Sequence, residues 1–275
     1  MSEPPWMETV RDLGVQHVDF DEDDAILYAL AVGSGVSDLD LVDERRLVVL
    51  PTLALTWGLW AADRVGESGA FDPAVAVHAA QDLVVLEPLP RKGRVEMRGG
   101  VRAVWDKGTA AIIEVRVTSR YFEAVYSIYA PGEGGFGGSR GPASGPAALP
   151  PVVRRRETLV ETRSDQAALY RLTGDRHRIH IDPEAARAIG SDAPVLHGLC
   201  TLAVAVGGVA QVMGTRPTQL KRLRARFSGL VIPGDRIGLQ VDELADGSTA
   251  FEATVGSRSV LRDGRAAFVP DDAQH

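Results

Sequence analysis

The sequence predicts an α+β protein built from two copies of one unit, in each of which an antiparallel sheet wraps round a central helix. Runs of alternating apolar and polar residues indicate strands over 75–86, 94–105, 110–118 and 121–129. A stretch rich in Gly, Pro, Ser and Ala at 131–151 divides the chain near its middle. The second half then repeats the order of features found in the first, which is the mark of a duplicated unit.

The helix signals follow the same order in both halves. Asp21 to Asp24 precede an apolar segment and predict a helix start, and the run PTLALTWGLWAAD at 51–63 predicts a mostly buried helix. In the second half, Asp182 can cap a helix in which Pro183 takes the first position. Gly198 begins a very apolar helix that is expected to be buried on every side.

The repeat defines three segments, an N-terminal unit over 1–130, a linker over 131–151 and a C-terminal unit over 152–275. Pairs of residues align at nearly constant spacing: Tyr28 with Tyr170, Leu50 with Leu196, and Pro90 with Pro233. This alignment sets Gly33 against Asp175 and Asp38 against His180. We therefore expect one active site per chain, in the second unit, and a first unit that shapes the pocket.

Composition restricts the class of protein. Of 275 residues, 45% are hydrophobic and 24% are charged, as in an ordinary globular protein, and the net charge of −7 argues against a nucleic-acid partner. The single cysteine, Cys200, excludes an intramolecular disulfide and fits a reducing compartment. The N-terminal residues do not resemble a signal peptide, and the apolar run at 199–213 is too short for a membrane span. We expect a cytoplasmic protein without a membrane partner.

The stretch 170–198 concentrates the groups that can do chemistry. Asp175 and His180 lie five residues apart across a loop that starts at Gly174, so a carboxylate and an imidazole can share a bound water as acid and base. The free backbone N–H of Gly198, at the start of its helix, can stabilise a developing oxyanion. Asp175 can also serve only to stabilise the turn through its own backbone.

This stretch resembles the hydratase 2 signature of the MaoC-like enoyl-CoA hydratases. The matched residues are Tyr170, Leu172, Gly174, Asp175, Ile179, His180, Asp182, Pro183, Ala185, Pro194, Leu196, His197 and Gly198. The resemblance implies a double hot-dog fold, a catalytic dyad of Asp175 and His180, an oxyanion-hole amide at Gly198, and an acyl-CoA thioester substrate without a further cofactor. A homodimer of the whole chain is left open.

The activity expected from the resemblance is an (R)-specific 2-enoyl-CoA hydratase, the reverse reaction being a 3-hydroxyacyl-CoA dehydratase. Alternatives are a hot-dog thioesterase, an acyl-carrier-protein dehydratase, and a non-catalytic acyl-CoA-binding subunit. The last is motivated by His177 and Arg178, which stand where the family has Asn and Pro.

Further residues have roles that the sequence leaves open. His177 and His197 are expected to support the dyad, and the spacing of the histidines does not favour a metal site. Two groups are candidates for binding the phosphates of coenzyme A. The first is the stripe of Arg222, Arg224 and Arg226, which is equally compatible with a solvated strand face; the second is Gly137, Gly138 and Arg140 in the glycine-rich segment, where a plain linker is slightly favoured.

Overall fold

A computed structural model describes residues 3–142 and 149–269. Ten strands form one antiparallel sheet: β1 (Gly14–Phe20), β2 (Val77–Val85), β3 (Gly93–Asp106), β4 (Ala110–Ser119), β5 (Phe122–Pro131), β6 (Val152–Glu161), β7 (Leu220–Phe227), β8 (Arg236–Leu244), β9 (Thr249–Val255) and β10 (Arg258–Phe268). The α-helices are α1 (Met7–Val10), α2 (Glu22–Ala31), α3 (Leu39–Val42), α4 (Leu53–Gly58), α5 (Trp60–Glu67), α6 (Gln166–Tyr170), α7 (Pro183–Ala188) and α8 (Gly198–Met213).

The strand order confirms the predicted duplication. The sheet runs β1-β3-β4-β5-β2-β7-β10-β9-β8-β6, so each half has the same internal order when read from its outer edge. The two halves meet where β2 pairs antiparallel with β7, with Leu83 opposite Leu223. The result is a double hot-dog, two equivalent five-stranded halves joined into one sheet.

The central helix of the second half is α8, and it confirms the helix predicted to begin at Gly198. Most of its residues are buried, which explains why its sequence is apolar all round. It ends at Gly214, which adopts the left-handed conformation that glycine tolerates best.

The predicted helix start before α2 is also confirmed. The Asp21 side chain accepts a hydrogen bond from the Asp24 backbone N–H, and the Asp24 side chain accepts one from the Asp21 N–H. This reciprocal pair satisfies two N–H groups that a helix start leaves free.

The single helix predicted over 51–63 was wrong, because the structure has α4 and α5 with a break at Leu59. The Tyr126 hydroxyl donates to the Leu55 carbonyl at 2.6 Å, so Leu59 N–H bonds instead to the Thr56 carbonyl at 3.4 Å. A side chain from β5 thus takes the acceptor that a continuous helix needs. A Cβ at Gly58 would lie 2.4 Å from the same hydroxyl, so only glycine fits there.

The four strands predicted in the first half are confirmed as β2 to β5 within a few residues. The edge strands β1 and β6 were not predicted.

Within the predicted linker, residues 143–148 lie outside the described residues. The preceding glycines form an ordered loop, where the Gly135 and Gly137 N–H groups donate to the Asp106 carboxylate at 2.9 and 2.8 Å.

Buried polar contacts also join the two halves away from the β2–β7 pairing. Tyr170 OH lies 3.1 Å from Thr56 Oγ1, and Gln166 Nε2 donates to the Ala31 carbonyl at 3.0 Å. The rings of Tyr28 and Tyr170, which the sequence repeat aligns, lie 5.9 Å apart and are buried. Among the described residues no helix is both long and apolar enough to cross a membrane.

Candidate active site

A short loop between α6 and α7 places Asp175 and His180. Gly174 has φ +143°, a conformation that L-residues rarely adopt, and a Cβ there would lie 3.2 Å from the Thr56 side chain. A 3₁₀ turn over Arg178–His180 follows and brings His180 back towards Asp175. Asp182 then caps α7 by accepting from the Glu184 N–H at 2.9 Å, and Pro183 takes the first turn, as predicted.

The two carboxylate oxygens of Asp175 approach different groups, one the backbone of its own turn and the other the ring of His180. Its Oδ1 accepts from the His177 backbone N–H at 3.0 Å, which stabilises the turn. Its Oδ2 lies 4.0 Å from His180 Nε2. That distance is too long for a hydrogen bond, but one water can contact both atoms.

The surroundings of His180 determine its protonation state. Its Nδ1 lies 2.8 Å from the Val195 carbonyl, which can only accept, so Nδ1 holds the proton and Nε2 presents a lone pair to Asp175. Burial lowers the pKa of His180 below the usual histidine value, although the Val195 carbonyl and the Asp175 charge oppose this. A neutral imidazole therefore faces the carboxylate.

His197 contacts both residues of the dyad. Its ring is stacked on His180 at 3.6 Å between centroids, and its Nε2 lies 3.1 Å from the Asp175 backbone carbonyl, to which it donates. Burial, reinforced by the neighbouring His180, lowers the pKa of His197 to about 3. The neutral ring thus fixes the backbone of Asp175 and one face of His180 together.

The residues that depart from the family pattern have local partners. His177 Nδ1 accepts from the Ile179 N–H at 3.4 Å, a capping role that an asparagine side chain can also fill. Arg178 forms an ion pair with Asp182. Neither side chain separates Asp175 from His180, and the exposed His177 ring lies 6.2 Å from that of His180.

Gly198 lines the same cavity as the dyad and stands at the N-terminus of α8, where the first backbone N–H groups have no partner within a helix. Gly198 is exposed, and a Cβ there would lie 3.2 Å from the Phe227 ring, so a larger residue would have to displace that ring.

These groups share one cavity of ≈ 860 Å³, a volume suited to an extended small molecule. The second half contributes the dyad, Gly198 and the segment Ser228 to Val231. The first half contributes a mostly apolar wall that includes Leu59, Ala62, Phe71, Ala76 and Ile128. Both halves of the chain therefore contribute residues to the cavity lining.

Two titratable residues of the first half also line this cavity, and sequence reasoning missed both. Desolvation by the cavity wall and the nearby Asp175 charge raise the pKa of Asp63 to about 6, although the side chain keeps an exposed surface. The register of β2 shifts between His78 and Ala80. Because of this shift His78 pairs with Ile128 and lies on the same face of the sheet as Ile128. Simple alternation from the buried Gln81 and Leu83 would have placed His78 on the opposite face.

The structure does not bring the predicted phosphate-binding residues to the cavity. Arg222, Arg224 and Arg226 do share one exposed face of β7, with Leu223 and Ala225 buried on the other, so the predicted stripe exists. That face is the outer one, opposite Phe227, where Arg224 lies 3.6 Å from Asp82.

The described residues of the glycine-rich loop are likewise absent from the cavity lining. The Gly137 N–H binds the Asp106 carboxylate, and the Gly138 N–H contributes to holding the pKa of that carboxyl below its usual range. The amides that were candidates for cradling a phosphate, those of Gly137 and Gly138, thus already bind a carboxylate of the chain, and Arg140 is exposed beside them.

Asp175, His180 and His197 have possible metal-ligand atoms that all lie within 4.8 Å of one another. One nitrogen of each histidine donates to a backbone carbonyl, namely His180 Nδ1 to Val195 and His197 Nε2 to Asp175, which leaves the other nitrogen of each ring as the possible ligand atom. The geometry suits a carboxylate and an imidazole acting on a water at least as well as it suits an ion.

Comparison with known proteins assigns the family. Residues 149–260 match the model of the MaoC like domain, and residues 18–127 match that of the MFE-2 hydratase 2 N-terminal domain. The chain is 32% identical over 266 residues to a probable enoyl-CoA hydratase 2 of Dictyostelium discoideum, covering 90% of each chain. It is 33% identical to 3-hydroxyacyl-thioester dehydratase Y of Mycobacterium tuberculosis, covering 90% of this chain and 92% of that one.

A solved structure agrees in fold. The MaoC-like dehydratase of Phytophthora capsici superposes with a TM-score of 0.83 at 22% identity, and the match covers 98% of both chains. Both family models together match most of the chain, and the similarity to the Dictyostelium relative extends over 90% of each sequence. The chain therefore belongs to the MaoC-like hydratase 2 family.

Proposed function

We propose that the protein is an (R)-specific 2-enoyl-CoA hydratase, a hydro-lyase that adds water reversibly to a trans-2-enoyl thioester. The observation that supports this most directly is the 4.0 Å gap between Asp175 Oδ2 and His180 Nε2, inside a cavity that also contains the Gly198 amide. The family relatives named as hydratases and dehydratases support the same reaction class.

The geometry supports a simple sequence of events. The thioester carbonyl accepts a hydrogen bond from the Gly198 N–H, which draws charge from the double bond towards oxygen. A water held between Asp175 and His180 adds through its oxygen to C3 and gives a proton to the lone pair on His180 Nε2. The dyad returns a proton to C2 on the same face, so that the product is the 3-hydroxyacyl thioester.

The wall from the first half supports an acyl chain on that side of the dyad. Leu59, Ala62, Phe71 and Ala76 offer apolar surface, and such surface stabilises a bound chain by about 25 cal/mol per Å² removed from water. A panel of enoyl-CoA substrates of increasing chain length measures how far this part of the cavity extends.

The proposal is tested by the hydration of crotonyl-CoA, which is monitored through the loss of the enoyl absorbance. The wild-type protein is expected to hydrate it without releasing thiol, whereas a thioesterase releases free CoA. Asp175→Asn and His180→Gln are each expected to lower kcat by at least 10²-fold, the usual size of an acid–base contribution. Full activity in either folded variant, or none in the wild type with any enoyl-CoA, contradicts the proposal.

The reaction needs no metal or further cofactor in this proposal, because water, acid and base suffice for it. Activity that survives dialysis against a chelator supports this. Activity that disappears and returns with a divalent cation contradicts it.

We also infer a cytoplasmic homodimer. The buried thiol of Cys200 supports a reducing compartment. The edge strand β6 supports association, since Val153 and Leu159 are each 66% exposed there. Cell fractionation tests the compartment, and light scattering of the wild type and of Leu159→Lys tests the dimer.

A further inference from the structure

Thr56 is a buried polar residue in the apolar segment of the first half. Its side chain is 7% exposed and does not belong to the described lining of the cavity, so a substrate in that cavity does not contact it. A hydroxyl removed from water needs a hydrogen-bond partner to offset its desolvation. Its partner comes from the second half, where the buried Tyr170 hydroxyl lies 3.1 Å from Thr56 Oγ1.

The break between α4 and α5 fixes the position of Thr56 in the first half. The Tyr126 hydroxyl of β5 binds the carbonyl of Leu55, the residue before Thr56. The Leu59 N–H then bonds to the Thr56 carbonyl at 3.4 Å. The backbone around Thr56 is therefore attached to the sheet, and its side chain extends from a fixed point.

The methyl group of Thr56 lies against the start of the loop that contains the dyad. A Cβ on Gly174 would lie 3.2 Å from Thr56 Cγ2, so the backbone directly before Asp175 packs on this methyl group. Glycine gives a segment more backbone freedom than any other residue, and a fixed contact restricts that freedom.

Tyr170 extends the contact of Thr56 to the histidines. Its ring lies 4.7 Å from the ring of His197, which in turn stacks on His180 at 3.6 Å. His197 also donates to the Asp175 carbonyl. Because these rings are buried and closely packed, a shift of one displaces the next. The two contacts of Thr56 thus reach both residues of the dyad.

We infer that Thr56 is a positioning residue, through which the half without the dyad holds the dyad in its working geometry. Its methyl group supports the loop before Asp175, and its hydroxyl holds Tyr170 against the stacked histidines. This rests on the proposed hydratase function. Small displacements matter because one water must span the 4.0 Å from Asp175 Oδ2 to His180 Nε2. A misplacement of about 1 Å can lower a rate by about 10²-fold.

Thr56→Val tests the hydroxyl, since valine keeps the shape of threonine. It leaves the buried Tyr170 hydroxyl without this partner, so kcat for crotonyl-CoA is expected to fall by about threefold to tenfold, the size of one hydrogen bond. KM is expected to stay close to the wild-type value, because Thr56 lies outside the described lining. Thr56→Ser keeps the hydroxyl and loses only the methyl group, so its kcat should lie between those of Thr56→Val and the wild type.

Tyr170→Phe removes the same hydrogen bond from its other end, and it serves if the valine variant does not fold. Because one bond can be lost only once, the double variant should have about the kcat of the lower single variant. Losses that multiply in the double variant overturn the inference. A Thr56→Ser variant as impaired as Thr56→Val overturns it as well.

Thr162→Val is the matched control. Thr162 is 6% exposed and lies outside the described lining, and its hydroxyl donates to the Asp235 carbonyl at 2.7 Å and accepts from the Gly234 N–H at 2.9 Å. This variant is expected to lower the urea midpoint and to keep the wild-type kcat, measured well below its unfolding transition. Wild-type kcat in folded Thr56→Val, or an equal loss in Thr162→Val, overturns the inference. Absence of enoyl-CoA hydration in the wild type contradicts instead the proposed function.

Discussion

Asp175 Oδ2 and His180 Nε2 face each other across 4.0 Å, and the backbone occupies the other polar atom of each side chain. The His177 N–H binds Asp175 Oδ1, and the Val195 carbonyl binds His180 Nδ1. In the part of the chain that the structure describes, each side chain therefore has one polar atom that the backbone does not occupy, and these two atoms are 4.0 Å apart. This arrangement orients a water by hydrogen bonds that are already made before a substrate arrives.

Replacement of His177 tests how the loop holds His180. His177→Asn keeps a side-chain acceptor for the Ile179 N–H and is expected to retain at least wild-type kcat. His177→Ala removes the acceptor and frees the turn that contains His180, so kcat should fall by a few fold, on the order of the 0.5–2 kcal/mol that a cap contributes. Equal kcat in the two variants would show that the cap has no influence on the dyad.

Gly198 tolerates no side chain without displacing Phe227. Gly198→Ala is expected to lower kcat/KM by about tenfold or more, because a shift of one oxyanion donor weakens its bond to the carbonyl. Gly207→Ala in the same helix is the matched control, since a Cβ there meets nothing within 4 Å. Helix propensity predicts that this control raises the free energy of unfolding by about 0.5–1 kcal/mol with unchanged activity. The measurements are steady-state kinetics and urea denaturation.

The glycine-rich loop is expected to be structural. Asp106→Ala leaves the Gly135 and Gly137 N–H groups without their acceptor, so proteolysis within 132–142 should accelerate while KM for crotonyl-CoA stays unchanged. Arg140→Ala should leave KM unchanged as well. A severalfold rise in KM for the CoA substrate in Arg140→Ala, absent with the N-acetylcysteamine thioester, would support the phosphate-binding role that the sequence left open beside a plain linker.

Asp63 should make stability depend on pH. Its pKa is raised to about 6 in the folded state from 3.8, so the folded protein holds this proton more tightly than the unfolded chain. The stabilisation is present in full below pH 3.8 and is lost as the pH rises through 6. Asp63→Asn is therefore expected to be more stable than wild type at pH 8 and similar to it at pH 4.

Urea midpoints at the two pH values measure this effect. The gain at pH 8 should shrink in an Asp175→Asn background, because the Asp175 charge is one cause of the raised pKa. An equal gain at both pH values would contradict the assignment to ionisation.

The sequence by itself determined the features that depend on neighbouring residues. Caps at Asp21 and Asp182, the start of α8 at Gly198, the strands β2 to β5 and the spacing of Asp175 and His180 follow from hydrogen bonds and periodicities within a few residues. The duplication was also readable, because it repeats these local signals.

Tertiary structure decided what depends on residues far apart in the chain. Tyr126 breaks the helix at Leu59 by binding the Leu55 carbonyl. Asp106 accepts from the Gly137 amide in a loop whose sequence is compatible with a plain linker or with a phosphate cradle. The register shift in β2 sends His78 into the cavity, against the alternation of its own strand. Local patterns specify which groups a segment offers, whereas strand register and long-range hydrogen bonds determine which of those groups meet.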